Sequence, residues 1–355
     1  MKKAFKITSI HSQKLINSKV INTHFSLWFY FSNMSAMPRG LLRRLPITTQ
    51  NVCAPWARCR SCTARPGMRS KLFVPGSRPE LFDKAMNSAA DGVSFDLEDA
   101  VAPERKAQAR SQLADYLFGL KPTAKKIVVR INEISSRFYA DDLQALVGSQ
   151  MRIVNLPKVE SPEQITELVN DLERLEGKQG LSSPLHILAN IESPCGLRRA
   201  FDIAAAHPRV MGLQLGFADL LEPLGIDRYD AGTVRQLQLA LRLAAGEAGV
   251  AAYDTAYAQI KDPEGFAGEA AAARRLGFAG KSCIHPSQIE LANAAFLPSA
   301  DDITRALAIL EAEETAQASG VGAYQMDGQM IDAPFVRRAR VIVEQARHAG
   351  LLNPL

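Results

Sequence analysis

Glu192, in HILANIESPCGL, and Asp219, in VMGLQLGFADLL, each stand just past a β-branched apolar run, where a strand hands over to a loop. Carboxylates presented from neighbouring strand ends form a divalent-metal site, because Mg²⁺ takes one or two protein carboxylates and fills its other positions with water and substrate. For Glu192, followed by Ser193-Pro194, capping of the next helix is the competing structural role. Arg130, in KIVVRIN, ends its strand in an apolar surround, and its planar fork suits a carboxylate or a thioester enolate. The acidic triplet Asp96, Glu98 and Asp99, in GVSFDLEDAV, stands at a similar strand end. There it would orient Arg130 and hold metal-bound water.

Charge placed repeatedly at strand C-termini points to an active site at the top of a (β/α)₈ barrel, where eight strands converge on one mouth. The elements needed for such a barrel are legible. Short β-branched runs at 71–75, 92–97, 126–131, 152–157, 185–191, 210–216, 249–254 and 279–284 alternate with helical patterns, the signal of a parallel sheet. Ser161-Pro162-Glu163-Gln164 opens one helix with Ser161 as cap, and Asp262-Pro263 opens another with Asp262 as cap. After the eighth strand come helical segments near 287–295 and 301–318. A turn-rich stretch, GVGAYQMDGQM, then leads into a final helix from Pro334 to about His348.

Composition separates the first 67 residues from the rest. The whole chain of 355 residues is +5 at pH 7, yet residues 1–67 hold eleven Lys/Arg and no Asp or Glu. Residues 68–355 retain 31 basic and 37 acidic side chains, a net of −6, which argues against nucleic acid as the partner of the core. Both tryptophans and three of the five cysteines, Cys53, Cys59 and Cys62, also precede Met68. Cys195 and Cys283 are too few for a disulfide framework, so a reducing, cytoplasmic setting is expected. The apolar run FSLWFYF at 25–31 is too short to span a bilayer. We therefore read 1–67 as a basic, disordered or wrongly annotated extension, 68–300 as the barrel, and 301–355 as a C-terminal helical segment.

Taken together, the ordered blocks RSKLFVPGSRPELF, FDLEDAV, VRIN, LPKVES, NIESPCGL, GFADLL, LGFAGKSCIHPSQI and GQMIDAPFVRRAR resemble the citrate lyase β-chain/malyl-CoA lyase group of the HpcH/HpaI aldolase superfamily, from Met68 to about Leu351. The resemblance implies a barrel that uses Mg²⁺, with Mn²⁺ as a substitute, to break or form a C–C bond between an acetyl thioester and a 2-oxo acid. Glu192 and Asp219 would be the protein ligands to the metal, with Glu192 also touching substrate. Phe73 and Arg78, flanking the turn at Gly76, would contact the CoA ester, with Lys84 near its phosphates. Asp332 would reach over the mouth of an adjacent subunit as general acid/base, so a homotrimer or hexamer is implied. Helix capping is the competing role for Asp332. His285 is a candidate base but reads first as a packed, hydrogen-bonding side chain, and Cys195 and Cys283 lack a base for nucleophilic work.

The preferred reaction is cleavage of citramalyl-CoA to acetyl-CoA and pyruvate. Malyl-CoA cleavage to glyoxylate stands close behind, followed by the β-chain role of a citrate lyase acting on a citryl-acyl carrier protein. Arg78 and the wording HPSQI favour the stand-alone CoA-dependent members. A rival from another class is a binding or regulatory module that uses the basic extension to grip nucleic acid or a membrane, but that segment has no recognisable DNA-binding pattern and no clear amphipathic helix.

Overall fold

A computed structural model describes residues 67–318 and 320–353. The basic segment 1–66, with its cysteines and its FSLWFYF run, lies outside the described residues. Eight parallel strands, β1 (Ser70–Pro75), β2 (Gly92–Asp96), β3 (Lys126–Arg130), β4 (Ile153–Leu156), β5 (His186–Ile191), β6 (Val210–Leu215), β7 (Ala251–Asp254) and β8 (Gly280–Cys283), pair in sequence order. The sheet closes where β8 pairs with β1. The expected strands match these to within two residues.

Helices α1 (Phe82–Met86), α2 (Lys106–Gly119), α3 (Tyr139–Leu146), α4 (Pro162–Gln179), α5 (Pro194–Arg198), α6 (Ala200–Ala205), α7 (Phe217–Leu221), α8 (Ala231–Ala248), α9 (Pro263–Arg275) and α10 (Ile289–Ala295) fill the connections. The expected caps hold. The Gln164 side chain accepts from Ser161 N–H at 3.1 Å, and Asp262 Oδ1 accepts from Gly265 N–H at 2.9 Å. Among the described residues no helix is long and apolar enough to cross a membrane.

Alternation along each strand divides the core in two. Outward side chains such as Leu72, Phe95, Val129, Val154, Ile187 and Leu213 pack in the large apolar cluster with residues of the surrounding helices. Inward, Met68, Val128, Ile153, Leu188 and Tyr253 form an apolar floor. Met68 precedes β1 and is fully buried. Gly92 has no Cβ because one there would come within 2.7 Å of Met68 Sδ. Above the floor the barrel turns polar: Lys71, Ser94, Asn155, Asn190, Gln214 and Ser282 are all buried.

Beyond the barrel, α11 (Ala300–Ala318) and α12 (Ala333–His348) form a second apolar cluster around Ile309, Ile331, Val336 and Val343. Between them, the stretch read as turn-rich from the sequence is a β-hairpin of β9 (Tyr324–Met326) and β10 (Gln329–Ile331). Asp327 and Gly328 turn it with φ of 51° and 76°, the paired positive φ that an Asp-Gly two-residue turn supplies.

Candidate active site

Five strands deliver charge to one end of the barrel. Glu192 follows β5, and two donors fix its carboxylate. Lys158 backbone N–H bonds Oε2 at 2.9 Å, and Asn190 Nδ2 bonds Oε1 at 3.1 Å. Gly216, just past β6, makes room: a Cβ there would collide with Glu192 Cγ and Oε1. Burial pushes the Glu192 pKa up, as does Asp219, while the Arg130 guanidinium and the Lys158 N–H oppose the rise. Asp219, in the first turn of α7 after β6, keeps 40% of its side chain exposed and lies 3.8 Å from Lys158 Nζ. The local chain explains both placements, since β5 and β6 pair through Ile191 and Leu215 and each carboxylate follows its strand end by a few residues.

Arg130 ends β3 and is gripped by β2. Its Nε and one terminal nitrogen donate to the two oxygens of Asp96 at 2.8 and 2.6 Å. The other terminal nitrogen lies 2.8 Å from Glu98 Oε2 and 3.5 Å from Asp99 Oδ2. A bidentate fork of this kind fixes both position and plane. Burial weighs against an ionised Asp96, but Arg130 outweighs it and holds the carboxyl below its ordinary range. Glu98 lies between Arg130 and Lys158 Nζ, the latter at 2.7 Å. Burial still pushes it up to about 7, against the pull of both cations. The acidic triplet therefore surrounds Arg130 on two sides.

The remaining expected residues separate into two groups. Phe73 reaches the mouth, its ring centroid 5.3 Å from Arg130 Cζ and 4.2 Å from Lys71 Nζ. Arg78 is more than half exposed and pairs with Glu80 on the outside of the same turn, and Lys84 is exposed in α1. His285 makes a structural hydrogen bond, its Nδ1 accepting from Ser287 N–H at 3.2 Å to cap the short turn that follows, but it is exposed where packing was expected. Asp332 occupies the N-cap position of α12, yet its side chain makes no cap hydrogen bond, and Oδ1 is buried without a partner. The competing role, helix capping by this side chain, is thus not filled.

Sequence reasoning missed four lysine and asparagine positions. Lys158, inside the LPKVES block, sits at φ 51°, and its ammonium links Glu98, Asp99 and Asp219. Lys106 on α2 donates to Leu97 O, Glu98 O and Asn132 Oδ1 at 2.9, 2.9 and 2.6 Å, pinning the loop that carries the acidic triplet. Lys71 and Asn155 lie beneath the mouth. A lysine or asparagine within a strand carries no period that marks it as buried, so its partners emerge only when the barrel closes.

The two carboxylates fit a hard dication. Among the described residues no group of three or more His, Cys, Asp and Glu side chains is arranged to hold a metal. Mg²⁺ takes one or two protein carboxylates and leaves water and substrate to complete the shell. Glu192, buried and seated on the space left by Gly216, lacks a strong cation partner of its own.

An eight-stranded parallel barrel with its charged groups at the strand C-termini defines a (β/α)₈ enzyme. Residues 69–286 match the model of the HpcH/HpaI aldolase/citrate lyase family, and the chain belongs to that family, a carbon–carbon lyase. It is 38% identical over 285 residues to the citrate lyase subunit beta of Haemophilus influenzae, covering 79% of this chain and 97% of that protein. It is 34% identical over 304 residues to the L-malyl-CoA/beta-methylmalyl-CoA lyase of Cereibacter sphaeroides, covering 80% and 95%. Protein CitE of Mycobacterium tuberculosis, solved in complex with magnesium, acetoacetate and coenzyme A, superposes with a TM-score of 0.66 at 35% identity, covering 80% of this chain and all of that one.

Proposed function

We propose that the protein is a divalent-metal-dependent lyase that cleaves a 3-hydroxyacyl-CoA, with citramalyl-CoA, giving acetyl-CoA and pyruvate, as the substrate. The observation that carries this reading is the convergence of Glu192, Asp219 and Arg130 on one mouth. Glu192 and Asp219 would hold the metal, Mg²⁺ or Mn²⁺. When bound, it supplies Lewis-acid charge neutralisation at the oxygens of the oxo-acid portion. The relatives that act on malyl-CoA, and the one solved with magnesium and coenzyme A, support the assignment.

Chain residues account for the rest of the chemistry. Arg130, its plane fixed by Asp96, faces the mouth as a preorganised cation that offsets negative charge developing on the substrate. Loss of the proton from the substrate hydroxyl turns that C–O bond into a ketone as the adjacent C–C bond breaks, leaving the electron pair on the acetyl thioester as an enolate. Asp332 from a neighbouring subunit would deliver the proton that converts this enolate to acetyl-CoA. Phe73, stacked against Arg130, would flank the thioester, and Arg78 would reach the CoA portion from the rim.

The similarity to citrate lyase beta subunits supports a second reading, in which the thioester is carried by a protein and the released acid is oxaloacetate. Incubation with acetyl-CoA, Mg²⁺ and a panel of pyruvate, glyoxylate and oxaloacetate, with adducts identified by mass, separates the readings. A pyruvate adduct is expected, and no adduct with any of the three would refute the CoA-lyase assignment. We further propose that residues 1–67 are an extension dispensable for the barrel, that 301–355 complete a neighbouring mouth in a homotrimer or hexamer, and that the enzyme works in the cytoplasm.

A further inference from the structure

Beneath the mouth, a line of hydrogen bonds crosses the inside of the barrel from β1 to β5. Lys71 Nζ donates to Asn155 Oδ1 at 3.0 Å. Asn155 Nδ2 donates to Asn190 Oδ1 at 2.6 Å and to Leu188 O at 3.0 Å. Asn190 Nδ2 donates in turn to Glu192 Oε1 at 3.1 Å. All four side chains are buried, Asn155 and Asn190 completely.

The line has a direction. Burial drives the pKa of the Lys71 amine well down, yet it donates at the start of the line while Leu188 O and Glu192 Oε1 only accept, whereas each carboxamide has one donor end and one acceptor end and is free to turn over. With Lys71 donating on one side and Leu188 O accepting on the other, Asn155 presents its oxygen to the lysine and its NH₂ to Leu188 O and Asn190. Asn190 must then accept with its oxygen and present its own NH₂ to Glu192. If either amide turned, two oxygens would meet at 2.6–3.1 Å in a site closed to water, where an unmet polar group costs about 1–3 kcal/mol.

We propose that Lys71 is a positioning residue for the metal site: through Asn155 and Asn190 it fixes the polarity of the amide chain, so that Glu192 always meets a donor at Oε1 and keeps its carboxylate oriented toward the cation. The inference rests on the reading of Glu192 as a metal ligand and extends that site three residues into the barrel. It explains why a lysine occupies a fully buried position on β1, where an apolar side chain would fill the space at lower cost.

The experiment measures Mn²⁺ affinity of the full chain directly, by the electron paramagnetic resonance signal of unbound Mn²⁺, alongside thermal melting. Lys71→Met removes the fixed donor at nearly constant volume. Asn155→Asp keeps a partner for Lys71 but offers Asn190 only an acceptor, which turns Asn190 around and points its oxygen at Glu192. Each is expected to weaken Mn²⁺ binding about ten- to a hundred-fold, the range for groups that orient metal ligands. Glu192→Gln is the control for the ligand itself. Met68→Ala, in the floor, is the control for general loosening of the barrel, and its affinity is expected to stay within about two-fold of the parent.

If Lys71→Met and Asn155→Asp bind Mn²⁺ like the parent while Glu192→Gln does not, the inference fails and the ligand assignment stands. If Glu192→Gln also binds like the parent, both fail. If Met68→Ala weakens binding as much as Lys71→Met, the lysine only supports the barrel and the inference is again overturned. Should one of the two chain variants not fold, the other decides.

Discussion

Lys158 donates its backbone N–H to Glu192 Oε2 at 2.9 Å from a residue held at φ 51°, while its ammonium reaches Glu98, Asp99 and Asp219. One residue therefore both orients the deepest carboxylate of the mouth and supplies a cation to the surrounding acids. Burial weighs against its charge, but the hydrogen bond to Glu98 and the three neighbouring carboxylates outweigh burial and raise its pKa.

Those two roles separate by mutation. Lys158→Ala keeps the N–H and removes a positive charge 3.8 Å from Asp219, a proposed metal ligand, so Mn²⁺ should bind about three- to ten-fold more tightly in calorimetry, as removal of Coulomb competition at about 4 Å suggests. Lys158→Gly should in addition be more stable than Lys158→Ala by about 1 kcal/mol, because only glycine adopts a positive φ without strain. Weaker Mn²⁺ binding by Lys158→Ala would show that the ammonium assists the cation instead of competing with it.

Glu98 makes stability depend on pH. Its pKa in the folded, metal-free protein is raised to about 7, above its unfolded value near 4.3. Its contribution is fully present below the unfolded pKa and is lost as pH rises through the folded one. Between about pH 4.5 and 7 the parent should thus lose stability relative to Glu98→Gln, at up to about 1.4 kcal/mol per pH unit. Denaturant titrations of both proteins in EDTA at pH 5, 6, 7 and 8 check this, and parallel curves would contradict it.

Met68 belongs to the floor of the barrel. Its fully buried side chain closes the barrel floor beside Gly92 and Tyr253, so Met68→Ala should cost about 2–5 kcal/mol. Removal of residues 1–67, by contrast, should shift the melting temperature by less than about 5 °C, the shift expected for one or two kcal/mol in a domain of this size. A larger drop on truncation would make the basic segment part of the folded unit.

Asp332 offers a test of sharing between subunits. Its Oδ1 is buried without a partner and its side chain does not cap α12, so Asp332→Asn should leave the melting temperature nearly unchanged while removing turnover and sparing acyl-CoA binding. Mixing inactive Asp332→Asn and Glu192→Gln proteins under subunit exchange should restore part of the activity, because some mouths then combine an intact carboxylate pair with an intact acid. Hetero-oligomers that form and stay inactive would place the acid within its own chain or elsewhere.

The eight strands, their order and the charge at their ends were legible in the sequence because parallel strands buried on both sides are short apolar runs, and a charge that ends such a run has few other places to go. Glu192, Asp219, Arg130 and the acidic triplet follow from that local pattern. What the tertiary structure decided was pairing across the barrel. That both oxygens of Asp96 engage Arg130, that Glu192 lies in the space left by Gly216, and that Lys71 reaches Asn155 depend on side chains 24 to 84 residues apart. Closure of the sheet sets these distances, which no local period encodes. The hairpin at 324–331 was missed because its strands are only three residues each, too short for alternation to show, although the Asp327-Gly328 pair already named the turn. Lys158 was missed for a different reason: a lysine in a loop reads as solvated, and only the fold surrounds it with the carboxylates of three other strand ends.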